Sequence, residues 1–307
     1  MKTSVVMATY NGEKFILKQL ESIRTQTVSV DEVLIRDDGS KDNTESMVIE
    51  FINKYGLKNW KFTKNKINLG WRENFSQLLN QAKGELIFLS DQDDIWKKTK
   101  VEKMTNIMKL NKKIDVLVSD YDQRLNENRN DLAKYPIDEE YVSDTLYRVK
   151  QKWKNYQILR PGWTYAVRRE FVSEYFNELK EISSDKGHDA LLWRGALSNN
   201  TLYHYKVVTG TWRMHQSSAI SSENRQKIKT KKILNYLHSE IKVLKKLVEL
   251  TETISYKRSL QKKVKEFEAR EKFLSSKKKF SGFIYLFKYR SLKKIIGDTL
   301  RVLNWKE

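Results

Sequence analysis

The stretch Glu85–Trp96, ELIFLSDQDDIW, runs from apolar residues straight into three acids, Asp91, Asp93 and Asp94, with nothing basic before Lys97. Leu86 to Leu89 read as a buried strand. A buried strand does not tolerate unpaired carboxylates at its end. Acids placed together also repel one another and call for a cation. The simplest such partner is a divalent ion with oxygen ligands, Mg²⁺ or Mn²⁺, held by carboxylates and substrate phosphates. The alternative is that the acids cap a following helix. No GxxxxGK[ST] run occurs, so phosphates would rest on metal and loops rather than on a Walker loop.

Working outward, TSVVMATY (3–10), DEVLIRDDGS (31–40), NWKFTKN (59–65) and IDVLVSD (114–120) read as further strands. Helical spacing appears at Phe15, Leu17, Leu20 and Ile23, and again in DNTESMVIEFINKYG (42–56), with Asp42 or Asn43 as N-cap and Gly56 as stop. It recurs in GWRENFSQLLNQAKG (70–84) and from about Lys98 to Leu110. Such alternation predicts an α/β fold, a mostly parallel sheet with helices on both faces. Ligands of these sheets sit at the carboxyl ends of the strands. Three strands deliver polar residues there: Thr9-Tyr10-Asn11, Asp37-Asp38 and Asp91 to Asp94. That recurrence weighs against simple capping.

From about 122 to 160 the pattern is weak and reads as a long excursion. RPGWTYAVRREFVSEYF (160–176) restores a strand and a helix, GHDALLWRGAL (187–197) opens another helix, and TLYHYKVVTGTWRMHQSS (201–218) reads as a strand and loop.

The chain has 307 residues, 39% hydrophobic, and no cysteine. That excludes disulfides, thiolate metal sites and a Cys nucleophile, and it fits a reducing compartment. The opening run breaks at Tyr10-Asn11-Gly12 without a cleavage pattern, and no window approaches a membrane span. The expectation is a cytoplasmic protein, peripheral at the inner face of the plasma membrane. Of the net charge of +20, +15 falls between 226 and 307, where 23 Lys/Arg face 8 Asp/Glu. A basic tail suggests an anionic partner.

Four segments in order, MKTSVVMATYNGEKFILKQLESIRTQT (1–27), VLIRDDGSKDNT (33–44), NLGWRENF (68–75) and FLSDQDDIW (88–96), resemble the family 2 glycosyltransferases of GT-A fold. They are most similar to rhamnosyltransferase-like members of bacterial surface-polysaccharide pathways. The resemblance covers about residues 2 to 220. It implies a catalytic domain over 1–225, with nucleotide-sugar binding in 1–120 and the acceptor side in 121–225. A basic amphipathic helical region, 226–307, would follow. It further implies that Asp91 reaches the ribose side of the donor, that Asp93 binds the metal on the diphosphate, and that Asp94 supports them or contacts the sugar. Asp38 would hold the pyrimidine or ribose, Thr9 and Tyr10 would line the base pocket, and Asp37 would be structural. Asp189 would be the base that takes the acceptor proton, with His188 beside it; a helix N-cap is the alternative. Arg213 would pair with the diphosphate. His215 would complete the metal shell, or else be a loop histidine bonded to backbone. Trp163 would stack on an acceptor sugar, or else belong to the core. His204 reads as structural and His238 as solvent-facing.

Together these imply a metal-dependent inverting glycosyltransferase with a dTDP- or UDP-sugar donor, rhamnose among the candidates, and a glycan or lipid-linked acceptor. Two-carboxylate glycoside hydrolysis uses similar acids but needs neither metal nor the DDGS element. No GxSxG occurs, and no nucleic-acid-binding pattern accompanies the basic charge, so nucleic acid is not expected as a partner. The alternatives are a non-catalytic nucleotide-sugar or membrane-binding module and, behind it, a nucleic-acid-binding protein. In the tail, the stretch from Phe280 to Leu303 has the apolar and lysine-rich faces of an interfacial helix that would dock on anionic lipid. The helix from Lys232 to about Leu250 would form a homodimer contact or pack on the catalytic domain.

Overall fold

The computed structural model describes residues 1–125, 129–132, 145–214, 230–275 and 299. Two compact units emerge: residues 1–180 with 186–218, and residues 181–185 with 219–307.

The first unit is built on a ten-stranded sheet. Strands β1 (Thr3–Thr9), β2 (Glu32–Asp37), β3 (Trp60–Lys64) and β4 (Leu86–Ser90) lie parallel in the order β3-β2-β1-β4. The short β5 (Ile95–Trp96) leaves this group and pairs antiparallel with the far edge of β10 (Leu202–Met214). Strand β6 (Val116–Leu125) runs parallel to β10, and β9 (Tyr165–Arg168) is inserted antiparallel between β4 and β6. β7 (Arg129–Leu132) and β8 (Leu146–Arg148) pair with β6 and β10.

The half built on β1 to β4 is therefore parallel, as the sequence alternation predicts, while β9 runs against it. Each parallel strand is followed by a helix: α1 (Ile16–Arg24), α2 (Thr44–Tyr55), α3 (Trp71–Gln81) and α4 (Lys100–Leu110). Gly56 stops α2 in a left-handed conformation (φ 59°) that a side chain would disfavour. Alternate residues Val5, Met7, Val33, Ile35, Leu86 and Phe88 join Ile16, Leu20, Val48 and Phe51 in the main core. Their neighbours Val6, Leu34, Ile87 and Leu89 are buried as well, so helices cover both faces of the sheet. After β9 come α5 (Arg169–Phe171), a π turn at Val172–Phe176, α6 (Asn177–Ile182) and α7 (His188–Ser198).

In the second unit, α8 (Thr230–Leu250) packs on α9 (Ile254–Ser275). Ile233, Leu237, Ile241 and Leu244 of α8 are buried, as are Tyr256, Leu260, Phe267 and Phe273 of α9. Lys245 pairs with Glu268 at 2.7 Å and the largely exposed His238 with Glu271 at 3.1 Å. The face of α8 expected as a dimer contact is thus covered by a helix of the same chain. Of the stretch Phe280 to Leu303, all but Thr299 lies outside the described residues. Among the described residues no helix is long and apolar enough to cross a membrane.

Candidate active site

The ends of β1, β2 and β4 converge as the sequence predicts. Beyond Ser90 the chain turns through Asp91-Gln92-Asp93-Asp94 into β5, whose pairing with β10 draws the acid loop towards Arg213. Carboxylate oxygens of Asp91, Asp93 and Asp94 all lie within 4.8 Å of one another. Asp94 is 1% exposed and the other two are half-buried. Burial, then the charges of Asp93 and Asp189, push the Asp91 carboxyl up to about 8, against the pull of Lys100. Burial and the charges of Asp93 and Asp91 hold Asp94 well above the usual range, against the backbone N–H and charge of Arg213. Crowded, desolvated oxygens of this kind are a hard-cation donor set, and they fit Mg²⁺ or Mn²⁺. The acids do not cap α4, which begins only at Lys100.

A cation that sequence reasoning missed lies beneath them. Lys100 is fully buried, donates to the carbonyl of Trp163 at 2.7 Å, and sits 4.5 Å from the Trp96 ring centroid. Burial lowers its pKa to about 7, although Asp94 and Asp91 pull it upward. A lysine in the first turn of an amphipathic helix reads as a surface residue, so no local signal marks it.

Arg213, on β10, donates Nε–H to the carbonyl of Asp93 and an Nη2–H to that of Phe15 at 2.9 Å. Its backbone N–H approaches Asp94 Oδ1 at 3.4 Å. It braces the acid loop from the far side of the sheet, with its charge facing that loop. His215 lies outside the described residues.

The neighbouring acids at the end of β2, Asp37 and Asp38, both bind nearby loops. Asp37 accepts from Thr9 Oγ1 (2.9 Å), Gly39 N (3.1 Å) and Ser40 N (2.7 Å). Asp38, expected to hold the base or ribose, is 3% exposed and accepts from Asn65 Nδ2, Leu69 N and Gly70 N, each at 2.8 Å. It anchors the loop leading into α3. Thr9, expected in the base pocket, is 2% exposed and spends its hydroxyl on Asp37. Tyr10 is 45% exposed and open to a ligand.

On the other side, Asp189 stands in the first turn of α7, half-buried, with Oδ1 accepting the Ala190 N–H at 2.8 Å. Its charge also raises the pKa of Asp91. His188 does not share that opening. It is 5% exposed, stacks on Phe75 at 3.9 Å, meets Trp71 edge-on, and is lowered to about 4 by burial. Trp163 is 1% exposed, packed against Tyr121, and offers no face to a sugar. His188 and Trp163 both belong to the core, which for Trp163 is the second of the two readings. His204 is structural: Nε2 meets Asp120 at 2.9 Å and Nδ1 meets Tyr147 at 2.6 Å, while Arg160 also binds Asp120.

Curated proteins and solved structures resemble this chain. The chain is 30% identical over 239 residues to the dTDP-rhamnosyl transferase RfbG of Shigella flexneri, covering 74% of this chain and 78% of that protein. An uncharacterized glycosyltransferase of Methanocaldococcus jannaschii is 34% identical over 134 residues, 43% of this chain and 45% of its own length. Among solved structures, S. aureus TarS 1-349 in complex with UDP-GlcNAc superposes with a TM-score of 0.66 at 19% identity, covering 99% of this chain and 80% of that one. The mannosyltransferase PcManGT from Pyrobaculum calidifontis, in complex with GDP-Man and Mn²⁺, gives 0.55 at 12% identity, covering 100% and 88%. These likenesses establish the GT-A fold. The profile of "Glycosyl transferase family 2" spans residues 4–176, taking in β1 to β4, the acid loop and β9, and on that match the chain belongs to this family of glycosyltransferases.

Proposed function

We propose that the chain is a metal-dependent, inverting glycosyltransferase that moves a sugar from a nucleoside-diphosphate donor to a glycan or lipid-linked acceptor. One observation carries the reading: three carboxylates gathered at the carboxyl end of β4, buried and mutually repelling. Asp93, with Asp91 and Asp94, would hold Mn²⁺ or Mg²⁺. When bound, the ion supplies electrostatic stabilisation of the departing diphosphate, more in the transition state than in the ground state.

The chain's own residues do the rest. Tyr10 offers an exposed ring to the base. Arg213 fixes the acid loop through the Asp93 carbonyl and adds positive charge beside the diphosphate site. Asp189 keeps Oδ1 on the Ala190 N–H, which leaves Oδ2 to accept the proton of the acceptor hydroxyl. The likeness to RfbG makes dTDP-rhamnose the first donor to try. The basic residues beyond 226 would hold the enzyme at an anionic membrane, where a lipid-linked acceptor resides.

The test is a thermal-shift panel of dTDP- and UDP-sugars with and without Mn²⁺, since a ligand of the native state raises Tm by mass action. A shift that needs both one donor and the metal is expected, and Asp93→Asn should remove its metal-dependent part. No donor shifting the protein under any condition would sink the reading.

A further inference from the structure

Between Asp91 and Asp93, the loop after β4 carries Gln92, whose side chain turns back to β1. Its Oε1 accepts the Tyr10 N–H at 2.9 Å and its Nε2 donates to the Tyr10 carbonyl at 3.0 Å. The amide thus pairs with Tyr10 as a neighbouring strand would, satisfying both main-chain groups of one residue. The fit is close: a Cβ on Gly12 would come within 2.3 Å of Oε1. The same turn is fixed elsewhere by Asn11 N to Ser40 Oγ (2.8 Å) and Gly12 N to Thr44 Oγ1 (2.7 Å), and Asn11 sits at φ 49°. Tyr10 is therefore held between the β2 loop and the acid loop.

We propose that Gln92 is a positioning residue that couples divalent-cation binding at Asp91, Asp93 and Asp94 to nucleoside binding at Tyr10. This rests on the donor-site reading given above. A cation drawing in the carboxylates on either side of Gln92 moves or stiffens the one side chain whose amide clamps Tyr10. The base platform then takes its binding geometry with the metal, before any phosphate bridges the two. Such coupling is reciprocal: the factor by which the cation tightens the nucleoside equals that by which the nucleoside tightens the cation.

A probe without phosphates separates this path from direct contact between metal and diphosphate. Uridine and thymidine are titrated into the full chain by ¹H–¹⁵N NMR, with and without Mg²⁺, in wild type and Gln92→Met, which keeps length and removes both hydrogen bonds. For the wild type we expect Mg²⁺ to tighten the better nucleoside several-fold and, alone, to shift the Tyr10 amide resonance. In Gln92→Met the tightening should fall to about one-fold and the Tyr10 shift should vanish, while UDP or dTDP binding stays Mg²⁺-dependent. A purely structural role would weaken the nucleoside equally with and without Mg²⁺. That result, or equal coupling in both proteins, or no effect of Mg²⁺ on the wild type's nucleoside affinity, overturns the proposal. If the wild type binds neither UDP nor dTDP in the presence of Mg²⁺, the donor-site reading fails as well.

Discussion

Lys100 donates to the main-chain carbonyl of Trp163 at 2.7 Å from a side chain with no exposed surface, directly beneath the acid loop. A buried ammonium there partly offsets the acids when no metal is bound. Metal binding should then expel protons from both sides of the pair, from Asp91 near 8 and from Lys100 near 7.

The slope of log K for Mn²⁺ against pH should therefore be steep between pH 6 and 7.5. Lys100→Met should lower that slope by up to about one proton. Calorimetry in buffers of different ionisation enthalpy reads the number directly. An unchanged slope would show that the ammonium does not sense the metal. The variant also leaves the Trp163 carbonyl without its donor, at a cost of about 1–3 kcal/mol.

Stability should carry the same signature. A carboxyl whose pKa is raised in the folded state binds more protons there than when unfolded, so stability falls as pH rises between the two values. For Asp91 that window runs from about 4 to about 8, and Asp94 acts in the same direction. Lys100 works oppositely: its lowered pKa, about 7, returns stability as pH climbs above 7. Metal-free protein should weaken from pH 4 to 7 and then level off. Asp94→Asn should raise the melting temperature at pH 7 by the equivalent of about 1–3 kcal/mol and change little at pH 4. A flat pH–Tm curve would contradict this.

Asp38 separates bracing from ligand reading. Asp38→Ala frees Leu69 N, Gly70 N and Asn65 Nδ2 at once, so it should cost about 2–4 kcal/mol by urea melting. A contact with ribose alone would instead leave stability intact and weaken nucleotide binding.

Asp189 and His188, adjacent in sequence, should behave as different kinds of residue. Asp189→Asn preserves the acceptor for the Ala190 N–H and should keep donor binding, yet lose turnover by about 10²-fold or more. His188→Phe keeps a ring against Phe75 and should leave both turnover and its pH profile from 6 to 8 nearly unchanged. His188→Ala should cost about 1–3 kcal/mol of stability. A pH profile altered by His188→Phe would place the imidazole in the chemistry.

What was legible in the sequence lies in continuous stretches. The run from Leu86 to Asp94 announces both strand and acid loop because burial and charge succeed each other within nine residues. Tyr10 and Asp189 are singled out by the family resemblance, and they stand beside a turn and at a helix start. Contacts across the fold left no such mark. Gln92 matters because its amide reaches backbone 82 positions earlier. Lys100 is buried because β5 crosses to β10 and closes over it. Asp38 reads as a ligand residue beside a structural Asp37, and only the positions of Leu69 and Gly70 show that its carboxylate also braces a loop. The helix α9 escaped notice because its lysines interrupt the apolar spacing that made α8 plain.

Strand β10 takes six steps from Tyr205 to Thr211 while its partner β6 takes three from Ser119 to Asp122. Side chains on a strand alternate faces, so the surplus fixes which way everything downstream points. Dropping a single residue from this irregular stretch would swing the Arg213 guanidinium to the opposite side of the sheet, with all the acids still in place. The enzyme's tolerance to change is thus set as much by chain length in an inconspicuous stretch of β10 as by the chemistry of its carboxylates.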